Sequence, residues 1–128
     1  MPDNLKLLIL IRTSLIALNQ ADLTGNYSVL RDLAAPGFQQ ANDPAKLAQI
    51  FADLRNRRID LSPITVIPPR LTQPAFVTDK GMLRITGFFP TKPEQVNFDL
   101  VFQQIGGQWR LFGISVKTSQ AQQPAPVD

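Results

Sequence analysis

The sequence predicts an α+β fold in which N-terminal helices pack against one curled antiparallel sheet. Two patterns favour this class. Apolar residues recur at helical spacing through the first half of the chain, and alternating strand-like segments follow after residue 59. Helices that precede the strands, instead of alternating with them, are typical of α+β proteins. The 128 residues are enough for one domain with its own apolar core.

The first element is a helix predicted over residues 4–20. It carries two apolar strips on nearly opposite sides, which are Leu7, Leu8, Ile11, Leu15 and Leu18, and Leu5, Ile9 and Ile16. A helix that is apolar on two sides is normally covered on two sides. We therefore expect the sheet on one side and another helix or a second subunit on the other.

This first helix also has the composition closest to that of a membrane segment. Its uninterrupted apolar run, residues 7–11, ends at Arg12, whereas a spanning helix needs about 20 apolar residues. No small-residue cleavage site follows the run, which argues against a signal peptide. The sequence therefore predicts a soluble protein without a transmembrane segment. Its compartment stays open, with export to the periplasm as an option if a signal peptide has been removed.

Three further segments precede the sheet. Residues 27–34 predict a short helix that a following Pro-Gly pair stops. Residues 38–42 predict either a short edge strand or a loop. A third helix is predicted over residues 44–57, with Asn42 or Asp43 as its cap and a proline at its first position.

The second half of the chain predicts the sheet. The proline-rich residues 63–74 indicate an edge strand or an irregular approach to one, because proline cannot donate to a sheet ladder. Three clear strands follow, at residues 82–89, 96–104 and 109–117. Gly106 and Gly107 predict a two-residue hairpin between the last two strands. We assign residues 1–118 to a single domain and residues 119–128 to a disordered tail rich in Gln and Pro.

The chain contains neither cysteine nor histidine, which limits its chemistry. Disulfides, thiolate catalysis and Ser-His-Asp or Cys-His nucleophiles are excluded, and so are metal sites built from histidine or cysteine. A general acid or base near neutral pH would have to be a carboxylate, a lysine or a tyrosine with a shifted pKa. We expect neither a bound metal nor a cofactor.

The net charge of +3 comes from basic residues that are scattered along the chain, with one cluster at residues 55–58. Nucleic-acid-binding proteins usually concentrate lysine and arginine on one face, and no glycine-rich phosphate loop joins a strand to a helix here. We interpret the cluster as cations that close a helix and favour its negative end. Contact with phosphate or an acidic partner is the alternative. No nucleic-acid partner is predicted.

The helical segment ALNQADLTGNYSVLRDL and the strand segment GGQWRLFGISV together resemble the nuclear-transport-factor-2-like (cystatin-like cone) superfamily, in an uncharacterised, bacterial-type member. The resemblance covers residues 4–118. It implies a strongly bent sheet wrapped round the helices as a cone, with a pocket at the open end. The superfamily includes isomerases, dehydratases, transport adaptors, secretion components and binding domains, so the fold implies no single activity.

The acid in the second clear strand, Asp99, is placed by the alternation of strand faces. The residues that share the opposite face are all apolar and are Val96, Phe98, Leu100 and Phe102. That face should point at the helices, which puts Asp99 on the outer face beside Arg84 of the preceding strand as a cross-strand pair. An inward Asp99 would turn four large apolar side chains outward, at about 1.5–3 kcal/mol each.

The candidate site residues fall into two groups. The apolar pocket is expected to be lined by Tyr27, Phe51, Phe98, Leu100 and Phe102. The interface on the outer sheet face is expected to consist of Arg84, Thr86, Asp99, Gln103 and Trp109. Tyr27 is assigned either to packing or to a hydrogen bond with a ligand, as in isomerase-like members of the superfamily. Trp109 is assigned to the core or an interface, with ligand stacking as the alternative. Asp22 is interpreted as a local capping acceptor.

A cone lined by hydrocarbon, without an evident proton shuttle, favours binding over chemistry. We therefore predict a non-catalytic binding or protein-interaction domain that holds a small apolar ligand, or that pairs as a homodimer or with a protein partner through its sheet face. Two alternatives stay open. One is an isomerase- or dehydratase-like enzyme that uses a carboxylate and Tyr27, and the other is a scaffold component of an envelope or secretion assembly. Two ionisable groups inside the cavity would favour the enzyme.

Overall fold

The structure is a computed structural model that describes residues 1–120. Its architecture is α+β, with helices packed against a curved antiparallel sheet of five strands that does not close into a barrel. The helices, in chain order, are α1 Asn4–Thr24, α2 Ser28–Leu33, α3 Pro36–Ala41, α4 Pro44–Ile50, α5 Ala52–Asn56 and the short 3-10 helix Ser62–Thr65. The strands are β1 Arg70–Leu71, β2 Phe76–Val77, β3 Leu83–Phe89, β4 Glu94–Ile105 and β5 Gln108–Gln120. The predicted fold class is confirmed.

Helix α1 is the element on which the sheet packs. The Asp3 carboxylate accepts the first-turn N–H of Lys6 at 2.8 Å, and Gly25 ends the helix in the left-handed conformation at φ 73°. The helix therefore runs four residues beyond the predicted end. Its first apolar strip belongs to the buried core, where Leu15 and Leu18 have no exposed surface.

The second apolar strip of α1 is covered only in part by the described residues. The Arg12 side chain donates to the carbonyls of Ile64 and Ile67, which holds the 3-10 segment against this side of the helix. Leu5 and Ile9, nearer the N-terminus, remain exposed. The 3-10 segment therefore covers part of this strip, and the cover of the rest by a second subunit stays a prediction.

By length and composition, α1 could cross a membrane, but half of its apolar window is buried inside the fold. Helices at the core of a globular fold and signal sequences near an N-terminus have the same properties. The described residues therefore contain no clear transmembrane segment.

The region between α2 and the sheet differs from the prediction at two places. Residues 38–41 of the segment predicted as an edge strand or a loop belong to α3, which begins with a proline, buries Phe38 and ends at the extended C-cap residue Asn42. The helix predicted over residues 44–57 is divided into α4 and α5 at Phe51, whose backbone leaves the helical region at φ −102° and ψ 16°. Of the two predicted caps, Asp43 is the one used, because its carboxylate accepts the N–H of Lys46.

The proline-rich segment contributes to the short outer edge of the sheet. Of the two predicted alternatives, an edge strand and an irregular approach to one, the edge strand is present. β1 and β2 each pair with β3, over two residues apiece. A glycine of β3 makes the approach of β1 possible. A Cβ added at Gly87 would lie 2.3 Å from the carbonyl oxygen of Arg70, so any larger residue there would displace the backbone of β1.

The long strands β3, β4 and β5 are antiparallel neighbours in that order. Gly106 and Gly107 both have positive φ angles, 59° and 81°, and form the predicted hairpin between β4 and β5. Phe112 is the extra residue of a β-bulge opposite β4. β5 continues through Gln120, two residues past the predicted end of the domain. The rest of the predicted tail, residues 121–128, lies outside the described residues.

The strand faces follow the predicted alternation. The inner face of the three long strands is apolar and buried, and its members include Leu83, Ile85, Phe89, Val96, Phe98, Leu100 and Phe102. Asp99 lies on the outer face, where the guanidinium of Arg84 donates to both of its carboxylate oxygens, at 3.1 Å and 2.7 Å. The predicted outward orientation and the predicted cross-strand pair are confirmed. Both side chains are more than a third exposed, so the pair contributes little to stability.

Candidate functional site

The centre of the fold is filled by packed hydrocarbon. Phe98 and Leu100, predicted to line a pocket, lie in the core and are at most 3 % exposed. They line none of the pockets described below. The usable space lies at the margins of the sheet, where helix ends and strand ends leave gaps.

The first of these pockets, which we name the hairpin pocket, lies between α1, α2 and the β4–β5 hairpin. Its volume is about 270 Å³. Its apolar wall includes Ala17 of α1, Leu30 and Leu33 of α2, and Phe102 and Trp109 beside the hairpin. Phe102 is thus the predicted pocket residue that lines this space. Trp109, assigned to the core or an interface, lies half-buried on its wall.

The polar groups of the hairpin pocket are two hydroxyls that are already engaged. Ser14 donates to the carbonyl of Leu10 at 2.8 Å, and Thr13 donates to that of Ile9 at 2.7 Å. Each hydroxyl donates its only proton to a carbonyl of its own helix, so neither hydroxyl can donate a hydrogen bond to a ligand. None of the lining residues is ionisable. The pocket is therefore suited to hydrocarbon and to aromatic stacking.

A buried polar cluster joins the end of α1 to α2 and α5. The Tyr27 hydroxyl donates to Asp22 Oδ1 at 2.5 Å and accepts from Arg55 Nη1 at 3.1 Å. The same nitrogen donates to the carbonyl of Ala48. Asp22 is therefore not a local capping acceptor, and that interpretation is wrong. The left-handed turn at Gly25 folds α2 back so that a carboxylate and a phenol five residues apart meet.

The second oxygen of Asp22 has no partner. The residue Asp22 is 8 % exposed as a whole, and its Oδ2 atom is buried without a hydrogen bond to any described residue. Burial raises the pKa of Asp22 above its ordinary value of 3.8, against the opposing effects of the Tyr27 hydrogen bond and the Arg55 charge. Burial, with the neighbouring Asp22, also raises the pKa of Tyr27, so that the phenol keeps its proton.

A second pocket adjoins this cluster, and we name it the α1–α5 pocket. It has a volume of about 340 Å³ and is lined by Asp22, Leu23, Leu54, Arg55, Arg58 and Ile59. Tyr27 does not line it, and its ring is 1 % exposed and stacked on Phe51 with centroids 6.4 Å apart. A carboxylate and Tyr27 do meet, as the enzyme alternative requires. However, the Tyr27 hydroxyl already donates and accepts, and it has no free access to a cavity.

The basic cluster at residues 55–58 serves several contacts. Arg55 binds the buried polar cluster, and Arg57 donates to Glu94 at 2.6 Å and lies 3.5 Å from Asp53. Arg58 adopts a positive φ of 54° and extends along the α1–α5 pocket. Phe51, predicted as pocket lining, contacts a third gap between α5 and β5, beside Arg57. The sequence pattern of four residues could not distinguish these roles.

The predicted interface residues on the outer sheet face are arranged around a shallow groove of about 410 Å³. Arg84 and Asp99 line the groove together with Val101, and the small residues of β5 form its floor. Thr86 accepts hydrogen bonds from two side chains of the β1–β2 segment. Gln103 lies on the same face near the hairpin. Trp109 is separate from this group, because it lies at the hairpin pocket.

The described part of the chain contains no group of three acidic side chains placed to hold a metal ion. Comparisons with protein-family models, with curated proteins and with solved structures return no match for this chain. The site must therefore be interpreted from its own geometry.

Asp22 predicts a distinctive dependence of stability on pH. Because its pKa is raised in the folded state, the folded protein binds the proton more tightly than the unfolded chain. The stability that this proton provides is present at low pH and is lost as the pH rises from 3.8 through the raised pKa. Urea denaturation across this range should show that the free energy of unfolding of the wild type falls, relative to that of Asp22→Asn, as the pH rises. A difference that stays constant or grows with pH would contradict the burial of Asp22.

Proposed function

We propose that this chain is a non-catalytic binding domain whose hairpin pocket holds a small apolar ligand. The observation that carries the proposal is the composition of that pocket. Hydrocarbon, one indole and two hydroxyls that already donate to their own helix form its wall, and its lining residues include no ionisable group. Such a wall can desolvate and stack a ligand, but it cannot transfer a proton.

The size of the pocket sets the class of ligand. A cavity of about 150 Å³ is enough to hold benzene. The hairpin pocket is larger than this, at about 270 Å³, and is open to solvent at one side. A ligand with an aliphatic chain or a fused ring fits this space, with any polar end directed to water. Burial of its carbon surface supplies the affinity, at roughly 25 cal/mol per Å² of apolar area.

The resemblance to the nuclear-transport-factor-2-like superfamily supports the proposal at the level of architecture. That superfamily places a pocket at an end of a helix-filled, bent sheet, and the hairpin pocket lies at an end of this sheet. The two other predicted roles, isomerase-like enzyme and assembly scaffold, stay predictions. The first would need Tyr27 to reach a pocket wall, whereas its hydroxyl is engaged with Asp22 and Arg55 and it does not line the α1–α5 pocket. The second depends on residues 119–128, which are described only through Gln120.

The fluorescence of Trp109 tests the proposal, because it is the only tryptophan of the chain. Titration with 1-octanol should change the intensity of its emission in a saturable way. Replacing Ala17, a buried wall residue of α1, by leucine fills part of the pocket, so Ala17→Leu should weaken the binding at least about tenfold. Ala45→Leu, on the exposed side of α4, is the matched control and should bind as the wild type does.

Two outcomes would contradict a ligand site at the hairpin. One is a wild type that shows no saturable change up to the solubility of octanol. The other is an Ala17→Leu variant that remains folded by circular dichroism and binds octanol with unchanged affinity.

A second binding function, self-association through the outer sheet face, is supported by the Arg84–Asp99 pair. Adjacent opposite charges beside an open groove make this face self-complementary across a two-fold axis. We propose that a second copy pairs here. Sedimentation equilibrium should find that the wild type is a dimer. Asp99→Arg should be a monomer, because it places two cations side by side on this face. The control Asp32→Arg, on the exposed part of α2, should remain a dimer. A monomeric wild type, or a dimeric Asp99→Arg variant, would overturn this contact.

A further inference from the structure

The α1–α5 pocket combines groups that the binding of an apolar ligand does not use. Asp22 is more than nine-tenths buried as a whole residue, and its Oδ2 atom has no partner among the described residues. Arg55 and Arg58 contribute two guanidinium groups to the wall of the same pocket. A buried acceptor without a partner is rare in folded proteins, and an unmade hydrogen bond there costs stability. The pocket therefore lacks a hydrogen-bond partner for Asp22 Oδ2.

We propose that this pocket binds a small organic anion that carries a hydroxyl group. In the complex the Leu23 side chain turns aside, the hydroxyl contacts Asp22 Oδ2, the anionic group contacts the two arginines, and the carbon skeleton packs against Leu54 and Ile59. The site is distinct from the hairpin pocket and shares no lining residue with it.

The hydrogen-bonding capacity of the wall determines the polar groups of the ligand. Asp22 Oδ1 and the Tyr27 hydroxyl are already engaged with each other, and Arg55 uses Nη1 for Tyr27 and Ala48. Within residues 1–120, the Nε and Nη2 atoms of Arg55 and the whole guanidinium of Arg58 make no hydrogen bond. They are left for a ligand, and a guanidinium offers paired donors that match a carboxylate or phosphate.

A hydroxyl suits Asp22 better than an ammonium or a carbonyl does. Burial favours the protonated carboxyl, while the neighbouring Arg55 and Tyr27 favour the charged one. An ammonium can only donate and a carbonyl can only accept, whereas a hydroxyl donates to a carboxylate and accepts from a carboxylic acid. It therefore satisfies Oδ2 in either protonation state.

Charge and shape agree with this ligand. One carboxyl and two guanidinium groups give the wall a net charge of at least +1, which favours an anion. Leu54 and Ile59 provide the apolar contact for a short carbon skeleton. Leu23 belongs to the same wall and is 70 % exposed, so its side chain can rotate at little cost when a ligand approaches Asp22.

A matched pair of acids tests the proposal. Calorimetry and amide NMR shifts would compare 2-hydroxy-4-methylpentanoate with 4-methylpentanoate, which lacks only the hydroxyl. The hydroxy acid should bind at least about tenfold more tightly, because it alone satisfies the buried oxygen. Its shifts should be centred on residues 22–23 and 54–59, and 1-octanol binding at the hairpin pocket should not change.

Variants separate the two halves of the site. Asp22→Ala should abolish the preference for the hydroxy acid and leave the binding of the plain acid, since the arginines remain. Arg58→Gln should weaken both acids several-fold. The control is Arg70→Gln, at the exposed outer edge of the sheet, which should bind both acids as the wild type does.

Three results would overturn the proposal. They are equal affinities of the wild type for the two acids, no binding of either acid at millimolar concentration, and binding that Arg58→Gln leaves unchanged. The comparison of the two acids on the wild type and the Arg58→Gln titration do not depend on the folding of Asp22→Ala. None of these results concerns the hairpin pocket. The proposal of an apolar ligand there is tested separately, by the titration with 1-octanol.

Discussion

The apolar row on the inner face of β4 is the constraint on which the other features of this molecule depend. Its four members are Val96, Phe98, Leu100 and Phe102, and each is at most 3 % exposed. At about 1.5–3 kcal/mol for each large buried side chain, no single polar group can reverse the orientation of the strand. The register of β3 and β5 follows from β4, and so does the outward position of Asp99 beside Arg84.

The same row explains why the candidate sites lie at the margins of the fold. Packed side chains fill the centre, which leaves space where elements end. The α1–α5 pocket opens beside the left-handed turn at Gly25, and the hairpin pocket opens beside Gly106 and Gly107. The wall of the hairpin pocket is mainly hydrocarbon and one indole, whereas that of the α1–α5 pocket includes the carboxyl of Asp22 and two arginines. The two proposed ligand sites therefore differ in chemistry, and both lie away from the packed centre of the fold.

Local patterns predicted most of the fold and little of the site. Alternation along β4 and the Gly106–Gly107 pair depend on neighbouring residues, so the sequence was sufficient for both. The break at Phe51 and the short helix α3 depend on packing, which overrides helical spacing. The contact of Asp22 with Tyr27 requires a turn geometry, and that of Arg55 with Tyr27 spans 28 residues. No periodicity encodes such contacts. The available signal was an acid five residues before a tyrosine, with the Gly25–Asn26 turn between them.

The unfolding free energies of two neighbouring variants of β4, measured by urea denaturation, test the orientation of this strand most directly. Leu100 has no exposed surface and lies in the core, whereas Val101 lies on the outer face and is half-buried. Leu100→Asn should cost about 3–5 kcal/mol or prevent folding, because it removes core packing and buries an amide. Val101→Asn should cost at most about 1 kcal/mol. Equal losses, or a larger loss at Val101, would contradict the assignment of the strand faces and with it the filled centre of the fold.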